Sequence, residues 1–238
     1  MSHAGCFQAF GRDFYIEPAS AQYANAVFQD EYQIRELRKH DVRTIVDVGA
    51  HVGSFTVLCH EWWPEAKIVA VEPHPDSFEL LERNTAHIPE THLLRINAAI
   101  AAENGQCLLA SAVSNSRVGE YVVELWNDLD PRYGDFGVRV PAITTEELWL
   151  KIVEFGVDNV HLLKLDCEGA EYTLLESLSE SGHLPQVGWL RGEWHGRRHR
   201  KRLIDALAAT HVAHVDPNPP HECGLFIAHR RNQLDDTV

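Results

Sequence analysis

Apolar positions along this chain follow two rhythms: short runs dense in β-branched residues, and longer stretches spaced by three and four. Residues 1–24 follow neither and read as an N-terminal extension draped over the rest. Val27, Ile34 and Leu37, flanked by Phe28 and Tyr32, then mark a helix, and Arg35, Arg38, Lys39 and His40 suit the negative pole at its end. A strand is expected at 44–48, followed past Gly53 by a helix burying Phe55, Val57 and Leu58. A second strand at 67–71 leads to a helix with Pro75 in its first turn and Phe78, Leu80 and Leu81 inside. A third runs near 92–100.

Between 105 and 141 the pattern changes to short strands, at 107–110, 121–126 and 138–140. This reads as a β-hairpin insertion, and Trp126, Tyr133 and Phe136 make it a candidate lid or substrate wall. Thr144-Thr-Glu-Glu147 is a capping box opening a helix that buries Leu148, Ile152 and Val153. Strands at 160–165 and 187–193 precede helices burying Ala170, Leu174, Leu175 and Leu178, then Leu203, Ile204 and Leu207. Strands at 211–215 and 224–229 finish the sheet, and 230–238 reads as a flexible tail. Alternating strands and helices closed by a terminal hairpin predict an α/β fold with a doubly wound, mainly parallel sheet.

Composition narrows the classes. The 238 residues suit a single domain over 1–238. A net charge of −14 argues against a nucleic-acid surface, which needs a basic footprint. No apolar run is long enough to cross a bilayer and the polar N-terminus lacks a signal-peptide pattern, so a cytoplasmic, membrane-free protein is expected. Five cysteines without Cys-x-x-Cys point to buried reduced thiols rather than disulfides or a zinc site. Self-association into a homo-oligomer stays open.

The chemistry begins at Thr44-Ile-Val-Asp47-Val-Gly49-Ala-His51-Val-Gly53, a strand, a tight turn and a helix start. In doubly wound proteins nucleotides bind there. Counting from Gly49, a pyrophosphate fingerprint would need glycine where His51 and Ser54 stand, so the loop suits a phosphate-free ligand such as S-adenosylmethionine. Glu72, at the tip of the second strand before Pro73, is placed to accept hydrogen bonds from two ribose hydroxyls. Two further strand tips carry acids. Lys164 and Asp166 share a face at one, Glu193 and His195 at the other, and both open onto the cofactor crevice. Asp166, Glu193 and His195 are therefore the candidate catalytic residues, with His195 the preferred base because an unperturbed imidazole titrates near neutrality. The same three are the candidate ligands if a divalent metal, Mg²⁺ or Mn²⁺, takes part.

The blocks Asp47-Val-Gly-Ala-His-Val-Gly53, Val71-Glu72-Pro73, Asn97-Ala-Ala and Leu163-Lys-Leu-Asp-Cys-Glu-Gly-Ala-Glu171 resemble the FkbM-like family of class I S-adenosylmethionine-dependent methyltransferases. The resemblance runs from about Thr44 to His195. It implies a seven-stranded sheet and methyl transfer, usually to oxygen; the expected acceptor is a hydroxyl or carboxylate on a saccharide, glycan or other natural-product small molecule. Cofactor contacts then fall on Asp47, Gly49, Ala50, His51, Gly53, Glu72, Pro73, Asn97 and Asp166, with Asp166 near the methionine end and Glu168 toward the acceptor.

Two features lie outside the recognisable pattern. Arg197-Arg-His-Arg-Lys-Arg202 puts cations at a helix start, against the dipole, and Arg197 and Arg200 become candidate anchors for an anionic acceptor. Asn218-Pro-Pro-His221 resembles an adenine-methylating motif but sits between the last two strands and lacks the aromatic residue, so it reads as a loop. An NAD-dependent oxidoreductase and a cofactor-binding protein without turnover are the alternatives to a methyltransferase.

Overall fold

A computed structural model describes residues 4–111, 121–125, 137–196, 199–217 and 223–231. Its first element is a hairpin that the sequence pattern hid. Strands β1 (Gly5–Ala9) and β2 (Arg12–Ile16) pair antiparallel through Phe10 and Gly11, at φ 50° and 77°. Two consecutive left-handed residues are what a tight primed hairpin turn requires. Phe7 and Phe14 pack their rings on Phe28 of α1 (Ala21–Phe28), so this segment is docked rather than draped. The expected helix through Leu37 ends here instead. Asp30 (φ 76°) and Gln33 (φ 53°) turn the chain, and Asp30 Oδ1 accepts the amides of Ile34 (2.7 Å) and Arg35 (3.0 Å). Only a 3-10 turn, Arg35–Lys39, follows.

The chain then alternates: β3 (Thr44–Val48), α2 (Ser54–Trp62), β4 (Lys67–Val71), α3 (Pro75–Asn84) and β5 (Leu93–Ile96). The strand expected at 92–100 splits, because β6 (Ala99–Ile100) leaves for a second sheet. That sheet adds β7 (Gly105–Ser111), β8 (Tyr121–Leu125) and β9 (Gly137–Ile143) in the order β6-β9-β7-β8, so the insertion is larger than a hairpin. Ala99, Cys107, Leu109 and Val140 form its own small core. The supposed lid residues Trp126, Tyr133 and Phe136 lie outside the described residues.

The second half runs α4 (Thr145–Glu154), β10 (Val160–Leu165), α5 (Glu171–Glu180), β11 (Val187–His195), α6 (Arg200–Leu207), β12 (His211–Val215) and β13 (Cys223–Arg230). Thr144 Oγ1 accepts the Glu147 amide at 3.2 Å, the bond that starts α4. Val153 and Ile204, expected inside their helices, are exposed. Arg230, placed in the tail by the sequence pattern, ends β13.

Across the main sheet the order is β5-β4-β3-β10-β11-β13-β12. All neighbours are parallel except β13, which runs against both β11 and β12. The buried faces of β3, β4 and β10 alternate between two apolar layers: Val46, Val48 and Leu163 point to one, Ile45, Ile68 and Leu162 to the other. Leaving β3 the chain winds one way to β4 and β5, then returns and winds the other way through β10 and β11. The crevice outside the carboxyl ends of β3 and β10 is the topological switch point where such sheets bind ligands.

Candidate active site

A cleft of about 480 Å³ opens at that switch point. This is the size of an ordinary small-molecule site.

One side is the loop after β3. Gly49 (φ 78°) and Ala50 both donate amides to the Val71 carbonyl at 2.9 Å, which seats the loop on the tip of β4. A Cβ at Gly49 would stand 1.7 Å from the Asp166 carbonyl oxygen, so no side chain fits there. His51, at φ 50°, is left-handed without being glycine and donates its amide to Glu72 Oε2 at 2.8 Å. Glu72 Oε1 accepts the His74 amide at 2.8 Å. Burial pushes the Glu72 carboxyl up to about 7, although the two amides pull against it. Burial, then the Lys164 ammonium, take the His51 imidazole down to about 4.

Of the residues expected to contact the cofactor, Gly49, Ala50, His51, Glu72, Pro73 and Asp166 line the cleft, whereas Asp47, Gly53 and Asn97 do not. Asp47 is fully buried; its Oδ2 accepts from Thr56 Oγ1 at 2.7 Å and its Oδ1 lies 3.3 Å from Lys164 Nζ. Gly53 (φ 87°) starts α2, and a Cβ there would meet Leu81 Cδ1 at 2.7 Å. Asn97 Nδ2 donates to the carbonyls of Glu72 (2.8 Å) and Pro73 (3.1 Å) and so fixes the acid-proline step. These three position the contact residues.

The other side gathers the tips of β10 and β11. His195 Nε2 stands 3.4 Å from Glu168 Oε2, 3.5 Å from Glu193 Oε2 and 3.8 Å from Asp166 Oδ1. Its Nδ1 lies 2.9 Å from Glu171 Oε1, and Tyr172 donates its hydroxyl to the His195 carbonyl. Burial alone would lower the imidazole, but bonds to Glu171 and Glu193 and the surrounding carboxylates hold it well above its ordinary value. His195 thus holds its proton more tightly than an ordinary imidazole, which departs from the premise on which it was the preferred base. Burial, opposed by His195 and reinforced by the neighbouring acids, pushes Glu168 up to about 8. Asp166 sits below the usual carboxylate range: burial raises it, and Lys164, His195 and the Tyr32 hydroxyl, donating at 2.6 Å, more than offset that.

Four residues without an assigned role in the sequence pattern complete the site. Tyr32 and Glu31 come from the turn after α1, Lys164 from β10 and Glu171 from the start of α5. Glu31 is pushed up to about 7 by burial, then by Glu193 and Asp166. Glu171 and Lys164 belong to the same Lys-x-Asp-x-Glu-Gly-x-Glu block as Asp166 and Glu168, and that is their one signal in the sequence; Tyr32 carries none beyond an apolar helix position.

Arg200 is a correction. Its guanidinium donates to the carbonyls of Val215 (2.9 Å) and Asp216 (3.2 Å) and does not line the cleft. Lys201 pairs with Asp205 and Arg202 with Glu176, at 2.7 Å from Nε, so those cations are engaged at the surface. Arg197 and the 218–221 loop fall outside the described residues, apart from which the cleft-lining set holds one lysine or arginine, Lys164.

Residues 47–207 match the family described as Methyltransferase FkbM domain. The chain is 27% identical over 198 residues to methyltransferase sdnD of Sordaria araneosa, spanning 69% of this chain and 71% of that one. Among solved structures it is similar to precorrin-6y C5,15-methyltransferase from Geobacter metallireducens GS-15, at 10% identity, 88% and 87% coverage and a TM-score of 0.48. It is also similar to the human methyltransferase 10 domain containing protein, at 8% identity, 90% and 83% coverage and a TM-score of 0.45. With a seven-stranded, mainly parallel α/β sheet and more than half its length matched, the chain belongs to the FkbM methyltransferase family and has a class I methyltransferase fold.

Proposed function

We propose that this protein is an S-adenosylmethionine-dependent O-methyltransferase whose acceptor is a hydroxyl on a saccharide or natural-product small molecule. The observation that carries the cofactor half is Glu72. Its carboxylate is buried at the cleft wall, anchored by two amides, and keeps lone pairs for a pair of ribose hydroxyls. The closed approach at Gly49 leaves the loop backbone bare beside it. When bound, S-adenosylmethionine supplies a methyl group on a positively charged sulfur, which departs as a neutral thioether.

The residues of β10 and β11 prepare the acceptor. Orienting the hydroxyl in line with the methyl group supplies much of the rate, and carboxylate oxygens of Asp166 and Glu168 are acceptors suited to hold it. The hydroxyl must also lose a proton. Glu193 faces the cleft beside His195 and is the group we assign to receive it. An anionic acceptor fits poorly, because Glu31, Asp166, Glu168 and Glu193 all line the cleft. The same acidity, in a chain of net charge −14, favours a neutral small molecule over nucleic acid. Among the described residues no helix is long and apolar enough to cross a membrane.

Thermal-shift titration tests the cofactor. S-adenosylhomocysteine should raise Tm and NAD should not; the reverse would restore the oxidoreductase alternative. For the chemistry, Glu193→Gln should lower kcat by about 10²–10⁴-fold with cofactor affinity unchanged. Normal turnover in that variant would remove Glu193 from proton transfer, and cofactor binding with no methyl transfer to any hydroxylated acceptor would favour a non-catalytic role.

A further inference from the structure

We propose that Asp166, Glu168 and His195 bind one divalent transition-metal cation, for which Mn²⁺ is the probe. The inference rests on reading the cleft as the methyl-transfer site, and it supplies that site with its means of activating the acceptor oxygen.

The first observation is convergence. One ligand atom from each of the three residues lies within 4.8 Å of the others, and the two distances from His195 Nε2 are 3.4 Å to Glu168 and 3.8 Å to Asp166. Adjacent ligands around a small divalent ion stand about 3 Å apart when each bond is about 2.1 Å. Rotation of the two carboxylates toward His195 Nε2 would close such a shell.

The second observation gives the imidazole a direction. Glu171 is fully buried, accepts the amides of Cys167 (2.8 Å) and Gly169 (2.9 Å), and takes His195 Nδ1 at 2.9 Å. A carboxylate fixed in this way makes Nδ1 the donor and turns Nε2 to the cleft, the arrangement that orients metal-binding histidines. There Nε2 faces oxygens of Asp166, Glu168 and Glu193 together. A proton on Nε2 can serve one of them well; a divalent ion in its place would serve Asp166 and Glu168 together. No other described side chain supplies that charge, because the Lys164 ammonium is already held by Asp47 at 3.3 Å and by the Gly49 carbonyl at 2.6 Å.

The donor set selects among ions. Carboxylate oxygens suit Mg²⁺, Ca²⁺ and Mn²⁺ and an imidazole nitrogen disfavours the first two, while the same nitrogen with carboxylates also suits Zn²⁺, which makes Zn²⁺ the competitor to titrate beside Mn²⁺. Glu193, left outside the triad, stays free to take the proton of a hydroxyl polarised by the ion.

The test needs neither acceptor nor turnover. The full chain, stripped with EDTA, is titrated with Mn²⁺ alone and the free ion followed by its electron paramagnetic resonance signal. One site per chain is expected. Glu168→Gln and His195→Gln should each weaken it at least tenfold. Glu171→Gln, which only positions the imidazole, should weaken it about 10–100-fold. Circular dichroism and S-adenosylhomocysteine titration of Glu168→Gln report on the fold and the cofactor half, which this substitution leaves intact. Absence of Mn²⁺ binding up to millimolar concentration, or binding that Glu168→Gln and His195→Gln do not alter, overturns the metal site. If S-adenosylhomocysteine binds normally in that case, the methyltransferase reading stands without the ion; if it binds to no form of the protein, the reading of the cleft itself fails.

Discussion

Glu72 is the residue on which the cofactor half depends. With its carboxyl held near pH 7, about half of the free protein carries a protonated Glu72 at neutrality. Hydroxyls bind the carboxylate, so S-adenosylhomocysteine affinity should rise as pH increases from about 6 to 8 and level off above. Glu72→Gln should lose that slope and weaken binding about 10–100-fold, the cost of a lost charge-assisted bond. Calorimetry at three pH values reads both effects, and a slope retained in the variant would assign the titration elsewhere. Asp47 makes the opposite case. It has no access to the cleft, and its partner Lys164 is equally buried. Asp47→Ala should cost about 3–5 kcal/mol in urea unfolding by leaving an uncompensated buried ammonium. Adding Lys164→Met should recover part of the loss; an additive double mutant would show the pair to be uncoupled.

The secondary elements explain why some of this was legible in the sequence and some was not. Strand 44–48 with its glycine turn, and strand 67–71 with Glu72 after it, are local patterns, and the strand-tip rule carries them straight to one crevice. Which acid faces the ligand is not local: Asp47 is turned inward by Lys164, which stands on β10, adjacent in the sheet but far along the chain. The helix expected through Leu37 fails for a related reason, since two packed pieces joined by Asp30 and Gln33 satisfy the same apolar spacing. Arg197–Arg202 looked free because the carbonyl acceptors of Arg200 belong to the end of β12 and its following residue. His211 shows what such packing does to a titratable group. It is buried at the start of β12, with Nε2 3.0 Å from the Val187 carbonyl and Nδ1 2.8 Å from the Thr210 hydroxyl. Burial lowers it to about 4, with the carbonyl pulling the other way. A histidine depressed below its unfolded value of about 6.5 contributes stability above that pH and loses it as pH falls toward 4. Its share is roughly 3 kcal/mol. Denaturant midpoints at pH 7 and pH 4.5 should therefore converge in His211→Gln, which titrates nothing; an unchanged difference would place the acid sensitivity at another group.

At the scale of the whole molecule, charge and topology divide the labour. Acidic side chains crowd the cleft, while the surface cations of α6 are paired with Asp205 and Glu176. Reversing Lys201 and Arg202 should leave KM for the acceptor unchanged, and KM should vary little with salt; a strong rise in either experiment would return α6 to the acceptor site. The cleft is also built from two separate stretches of chain. The cleft residues proposed for the cofactor sit on the loops after β3 and β4, within residues 47–207, but Tyr23, Glu31 and Tyr32 stand on α1 and its following turn, before the matched domain begins. The two stretches are nevertheless one piece of machinery: Tyr32 packs edge-on against Phe55 of α2 and donates its hydroxyl to Asp166, so an N-terminal segment exchanged between family members would have to carry these two contacts with it or disturb both halves of the cleft.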